Sequence, residues 1–154
     1  MNTDEAVRWQ ILESLRSAQV AEAAGINYTE WNRHHVFDGV SQFIKGKNRG
    51  RTPFVSYEKR GSDFEQIAFD GQLESFTWVI RVDVGGKGLN SNRWKLEEAC
   101  SKIIRAFLNQ YVNDNNFKGT RTSISEMTHT PWGAYREITL EGTFPDCGYE
   151  FNEA

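Results

Sequence analysis

Cysteine is scarce: Cys100 and Cys147 are the two in a chain of 154 residues. Two thiols build neither the disulfide framework of a small secreted domain nor the cysteine cage of a structural zinc site. Long apolar runs are missing as well, and no stretch approaches the ~20 residues a membrane-spanning helix needs. The opening MNTDEAVRW puts Asp4 and Glu5 where a secretory signal carries a basic start and an apolar stretch. The chain is therefore expected to be made in the cytoplasm, with no membrane partner. An excess of positive charge is also lacking. The formal net charge is −3 and the pI is near 5.7, which excludes nucleic-acid binding driven by charge over the whole surface.

What is present is enough for a core. Hydrophobic residues make up 38% and charged residues 25% of the chain, a balance that folds and does not remain disordered. Ten Phe, five Trp and five Tyr favour a packed fold containing a sheet, and aromatic side chains also serve interfaces. The length suits one domain over residues 1–154.

Two helices are predicted. The first covers 3–22: Thr3, Asp4 and Glu5 supply caps and early negative charge, and Val7, Ile11, Leu15 and Ala18 recur at helical spacing. The second covers about 92–112, where Leu96, Cys100, Ile103, Ile104, Phe107, Leu108 and Tyr111 fall at steps of three and four. Cys100 lies on that apolar stripe and reads as a small buried hydrophobe. Strands are predicted at 53–59 and 64–69, separated by the turn-like Gly61-Ser62-Asp63. A third at 75–84 carries Phe76, Trp78, Ile80, Val82 and Val84 on one face and Thr77, Val79, Arg81 and Asp83 on the other. Residues 120–129 and 134–144, around Pro131-Trp132-Gly133, read as a closing hairpin. Residues 26–51 show no sustained period, although 36–44 could hold a strand or one helical turn; the segment is expected to form a long flexible loop, and the tail 146–154 is expected to be loose. The order α-β-β-β-α-β-β defines an α+β fold, a mostly antiparallel sheet of four to five strands packed with two helices.

Chemistry is hard to place on this layout. Gly85-Gly86-Lys87-Gly88 follows a strand, but Lys87 is followed by Gly88 and not by the Ser or Thr of a phosphate loop. His34 and His35 are adjacent, so they do not share a face, and no Cys or carboxylate at a supporting spacing completes a metal site. Glu97-Glu98 falls on the solvent face of the second helix, and no nucleophile elbow frames a serine. The expectation is a chain without enzymatic activity, cofactor or metal. The positive feature is KGKNRGR at 45–51, in which Lys45, Lys47, Arg49 and Arg51 make a local cationic stretch. Such a stretch contacts a partner or phosphates, the latter with steep salt dependence. A small nucleic-acid-binding module using this stretch is accordingly the alternative reading.

The layout also resembles a known family. An N-terminal amphipathic helix is followed by a long loop, TPFVSYEK, the aromatic-rich FTWVIRVDV and a glycine-containing break. The helix KLEEACSKIIRAFLNQYV and two closing strands complete it. Over residues 3–144 this resembles the tail terminator and tail-completion proteins of long-tailed bacteriophages, in element order and character and not in an invariant motif. The long 26–50 segment departs from the family pattern. The resemblance implies a small α+β virion subunit that assembles as a ring, commonly a hexamer. The ring caps the tail tube and offers a face to the head-side connector, with DNA passing through its lumen. Its partners would be further copies of itself, the tail-tube protein and the head-completion protein. Trp31, Phe37, Phe43, Phe54 and Trp132, read as lying in or beside loops, are the candidates for subunit interfaces, the alternative being that they cover the edges of the core. The cationic 45–51 stretch is expected to become ordered on assembly, against tube protein or passing DNA.

Overall fold

The computed structural model describes residues 3–39, 52–66, 72–86, 92–114, 121–131 and 133–146. Among these it has four helices and one six-stranded sheet: α1 (Thr3–Leu15), α2 (Ala18–Ala24), α3 (Tyr28–His34), β1 (Val36–Asp38), β2 (Phe54–Gln66), β3 (Gln72–Gly85), α4 (Arg93–Asp114), β4 (Arg121–Ile124), β5 (Thr128–Thr130) and β6 (Gly133–Asp146). The sheet runs β1-β2-β3-β6-β4, with β5 also paired to β6. Only the β1–β2 pairing is parallel. The α+β fold with a mostly antiparallel sheet is thus as expected, with one strand and two helical segments more than the sequence pattern indicated.

The predicted first helix is two helices, because residues 16–17 interrupt it. The Ser17 hydroxyl donates to Ser14 O at 2.8 Å and accepts from Val20 N–H at 3.3 Å, which caps a new helix. That helix stops at Gly25, whose φ of 74° is left-handed. There the Ile26 N–H reaches back to Ala21 O at 3.0 Å, the paired closure of a glycine C-cap. The segment expected to be an irregular loop is also partly regular. Asn27 Oδ1 accepts from Thr29 N–H and Glu30 N–H and starts α3, and β1 follows directly. Seven residues of helix make only two turns, too few for an apolar period to show. Residues 40–51 lie outside the described residues.

The turn expected at 61–63 is a bulge. β2 continues through it, pairing Lys59 with Trp78 and Gly61 with Thr77, so that Arg60 is the extra residue. Two predicted strands are therefore one. Strand β3 is central and pairs along its whole length with β6. The predicted alternation holds: Phe76, Trp78, Ile80, Val82 and Val84 are all buried and join Leu96, Cys100, Ile103, Ile104, Phe107 and Tyr111 of α4 in one cluster. Val7, Ile11 and Leu15 of α1, four residues apart, enter the same cluster. Burying each large apolar side chain stabilises by ~1.5–3 kcal/mol before entropy is subtracted. On β6, Gly142 stands opposite Phe76, and a Cβ there would lie 2.5 Å from the ring. The glycine leaves the space that the phenylalanine fills.

Candidate interaction surfaces

Among the described residues no group of three or more His, Cys, Asp or Glu could hold a metal. The histidines are used locally. His35 is buried, and its ring stacks on Trp31 with centroids 5.8 Å apart. Its Nδ1 lies 2.7 Å from Pro53 O; a carbonyl only accepts, so Nδ1 carries the proton. His129 Nε2 accepts from Arg93 Nε at 3.2 Å. No helix among the described residues is long and apolar enough to cross a membrane.

Of the expected interface aromatics, Trp31 requires a correction. It is fully buried, and its indole N–H donates to Leu15 O at 2.8 Å. It occupies the core between α1 and α3 and has no surface to offer a partner. The reason is local: α3 places Trp31 on its inner side, where a loop reading left it outside. Phe54 is also fully buried, and half-buried Phe37 meets it edge-on at 5.7 Å. Phe43, Trp132, Lys45, Lys47, Arg49 and Arg51 lie outside the described residues.

The sheet face away from the helices carries a cluster that the sequence reading placed on one side of β3 and took no further. Phe54 and Val79 on it are buried at 0% and 5% exposure, yet stand outside the helix-facing core. Beside them the Arg81 guanidinium grips Asp83 with both ends, Nε–Oδ2 at 2.8 Å and Nη2–Oδ1 at 3.0 Å. The same guanidinium lies 3.5 Å from the centroid of the Tyr135 ring, and Tyr135 is the cross-strand partner of Asp83. The Asp83 side chain is wholly buried and that of Arg81 is 13% exposed. Ser56, opposite Arg81, has a buried hydroxyl without a hydrogen-bond partner among the described residues. A planar guanidinium held by a fork and an aromatic face is a rigid construction. It ties side chains of β3 to the Tyr135 ring of β6 near the end of the sheet where β1 joins.

Large apolar side chains stand out on the opposite side and at one edge. Trp94, in the first turn of α4, is 70% exposed. Ile124 ends β4, an edge strand exposed along all four residues, and such an edge is open to pairing with another chain. Trp9 and Tyr28, 49% and 55% exposed, flank an open groove of about 650 Å³ between α1 and α3. Leu12, Glu13, Arg16 and Arg33 also line it. Trp9 was legible as a surface residue, since it falls off the Val7, Ile11, Leu15 stripe.

Burial in the core assigns Cys100 a structural part. Burial pushes its thiol from 9.0 up to about 12, against a smaller opposing pull from Arg136. A thiol held neutral is no nucleophile. Tyr57 is raised as well, first by burial and then by the nearby Asp38 carboxylate. For both groups the folded value lies above the unfolded one. Their contribution is therefore complete below the unfolded values and is lost as pH rises through the folded ones. Stability should fall from about pH 9 upward, by about 1.4 kcal/mol per pH unit for Cys100 alone. Urea midpoints measured from about pH 8 to about pH 11 should give a flatter profile for Cys100→Ala than for the native chain.

No protein-family model matches the chain, and no curated protein matches it in sequence.

Proposed function

We propose that this chain is a structural subunit of a bacteriophage tail. It assembles as a ring that caps or completes the tail tube and forms the joining surface to the head-side connector. The observation that carries the reading is the element order. Three helices and the short strand β1 lead into an antiparallel pair of long strands, then a long helix and the closing strands β4, β5 and β6, in keeping with the layout on which the family resemblance rests. The surface supports it. A ring needs two different, complementary faces on each subunit, closed by rotation. The exposed β4 edge, Trp94, and the Trp9–Tyr28 groove are separate apolar features of the kind that interfaces cover. The virion tail is then where the protein resides, and tail-tube protein, head-completion protein and further copies of the chain are its partners.

Electron microscopy of the encoding phage with this gene deleted tests the proposal. The expected result is tails of abnormal length or tails unjoined to heads. Normal-length, head-joined tails in the deletion would refute it.

A further inference from the structure

We propose that the groove between α1 and α3 receives residues 147–154 of a neighbouring copy of this chain. The inference rests on the self-assembly part of the proposed function and names one of its contacts.

The groove has a definite character. Exposed Trp9 and Tyr28 line it with Leu12, and Arg16 and Arg33 supply positive charge against the single acid Glu13. Arg16 is oriented by a hydrogen bond to the neutral Asn32 amide, Nε to Oδ1 at 2.9 Å. Among the described residues neither Arg16 nor Arg33 forms an ion pair. Two aromatics beside two guanidinium groups that form no ion pair among the described residues suit a ligand that is both aromatic and acidic. Interfaces concentrate aromatics and Arg in this way.

The chain contains such a ligand. Residues 147–154 read CGYEFNEA, with Tyr149 and Phe151 set among Glu150 and Glu153 and no Lys or Arg. They follow directly on β6, which ends at Asp146. The complementarity is in both size class and sign: aromatic against aromatic, carboxylate against guanidinium.

Reach decides which copy supplies the segment. The groove sits beside the β1 edge. Arg8 of α1 pairs with Asp38, which stands beside Tyr57 of β2, and Trp31 of α3 stacks on His35, bound to Pro53 O. Asp146 is at the other end of the sheet, paired with Gln72. From Ile80, the partner of Tyr57, to Gln72 is eight residues, or roughly 26 Å at ~3.3 Å each. The three strand spacings between β6 and β1 add roughly 14 Å sideways. The groove runs on from the Tyr57 level toward Pro53, further away still. Eight residues span at most ~29 Å when fully extended. A copy's own segment falls short of lying along its own groove, so the occupant comes from a second copy. The contact is head-to-tail, the type a ring requires.

Charge reversal with mixing tests this, read by light scattering and sedimentation of the full chain. Arg16→Glu with Arg33→Glu should weaken self-association by roughly tenfold or more, and so should Glu150→Arg with Glu153→Arg. Circular dichroism should be unchanged, because Arg16 and Arg33 are exposed. Mixing the two variants should restore association, since the reversed groove of one copy then meets the reversed segment of the other. A merely structural role for these residues does not produce that rescue. A full chain that stays monomeric at every concentration, either variant associating like the native chain, or a mixture that remains dissociated would each overturn the inference. These failures are separable from failure of the proposed function. Abnormal tails in the gene deletion combined with no mixing rescue would remove this contact and keep the ring, whereas rescue combined with normal, head-joined tails would keep the contact and remove the tail function.

Discussion

Trp31→Ala is expected to lower the free energy of unfolding by about 3–5 kcal/mol. Set against the ~5–15 kcal/mol of a whole domain, that brings the variant close to unfolding at ambient temperature. Three losses combine. The fully buried indole leaves a cavity between α1 and α3. His35 loses the ring on which it stacks. Leu15 O loses the indole N–H that reaches it at 2.8 Å. Leu15 is the last residue of α1, so its carbonyl has no donor inside the helix and takes one from a side chain instead. Trp31→Phe separates the terms. It keeps most of the volume and removes the hydrogen bond, and its cost should be about 1–3 kcal/mol. Urea denaturation of both variants is the measurement. An interface residue would behave differently, because truncating it leaves the isolated subunit within about 0.5 kcal/mol of the native chain while assembly fails. The experiment therefore decides between the core position and the interface part that a loop reading assigned to this residue.

The misplacement of Trp31 shows where a sequence yields its fold and where it does not. Strand β3 was legible because its ten-residue alternation is long and its apolar side is unbroken. The helix α4 was legible for the same reason, with seven residues on one stripe. α3 has two turns and therefore no period. Its start was nevertheless written in Asn27 and Glu30, a cap residue with an acid three positions on. Ser17 likewise announced a new helix, but Ala18 continued the spacing of Leu15 and masked it. At Gly61-Ser62-Asp63 the chemistry of a turn and of a bulge coincide. Only the pairing of Gly61 with Thr77 of β3 separates them. The exposed groove depended on how α1 and α3 pack, which no local pattern encodes. Even so, Trp9 off the α1 stripe was a visible sign of a surface aromatic. The cationic residues Lys45, Lys47, Arg49 and Arg51 drew the functional reading from sequence, whereas the charged pair with the clearest geometry, Arg81 and Asp83, passed as the outer side of a strand. Two residues apart on a strand, they necessarily share a face, and opposite charges on the same face of a central strand signal a built pair.

That pair carries the second large effect. Asp83→Ala should destabilise by about 3 kcal/mol or more, because removing one partner of a buried ion pair strands the other charge. The Asp83 carboxylate is wholly buried, and Arg81 keeps 13% exposure, which lets the guanidinium recover some hydration and sets the expectation at the lower end of the usual range. Tyr135 does not replace the carboxylate, since an aromatic face holds a cation by only about 0.5–2 kcal/mol. The control is the double change Arg81→Met with Asp83→Leu, which removes both charges and keeps apolar bulk. Replacing a buried pair in this way is often neutral or stabilising, so the double variant should be more stable than Asp83→Ala alone. Urea midpoints of the three chains give the answer. If the double variant were as unstable as the single one, the cost would lie in lost hydrogen bonds and packing around Tyr135 and not in a stranded charge. If both were as stable as the native chain, the bidentate contact would contribute nothing to the fold. The expected order, with Asp83→Ala below both the double variant and the native chain, would assign the cost of the single change to a buried charge deprived of its carboxylate and not to lost apolar packing.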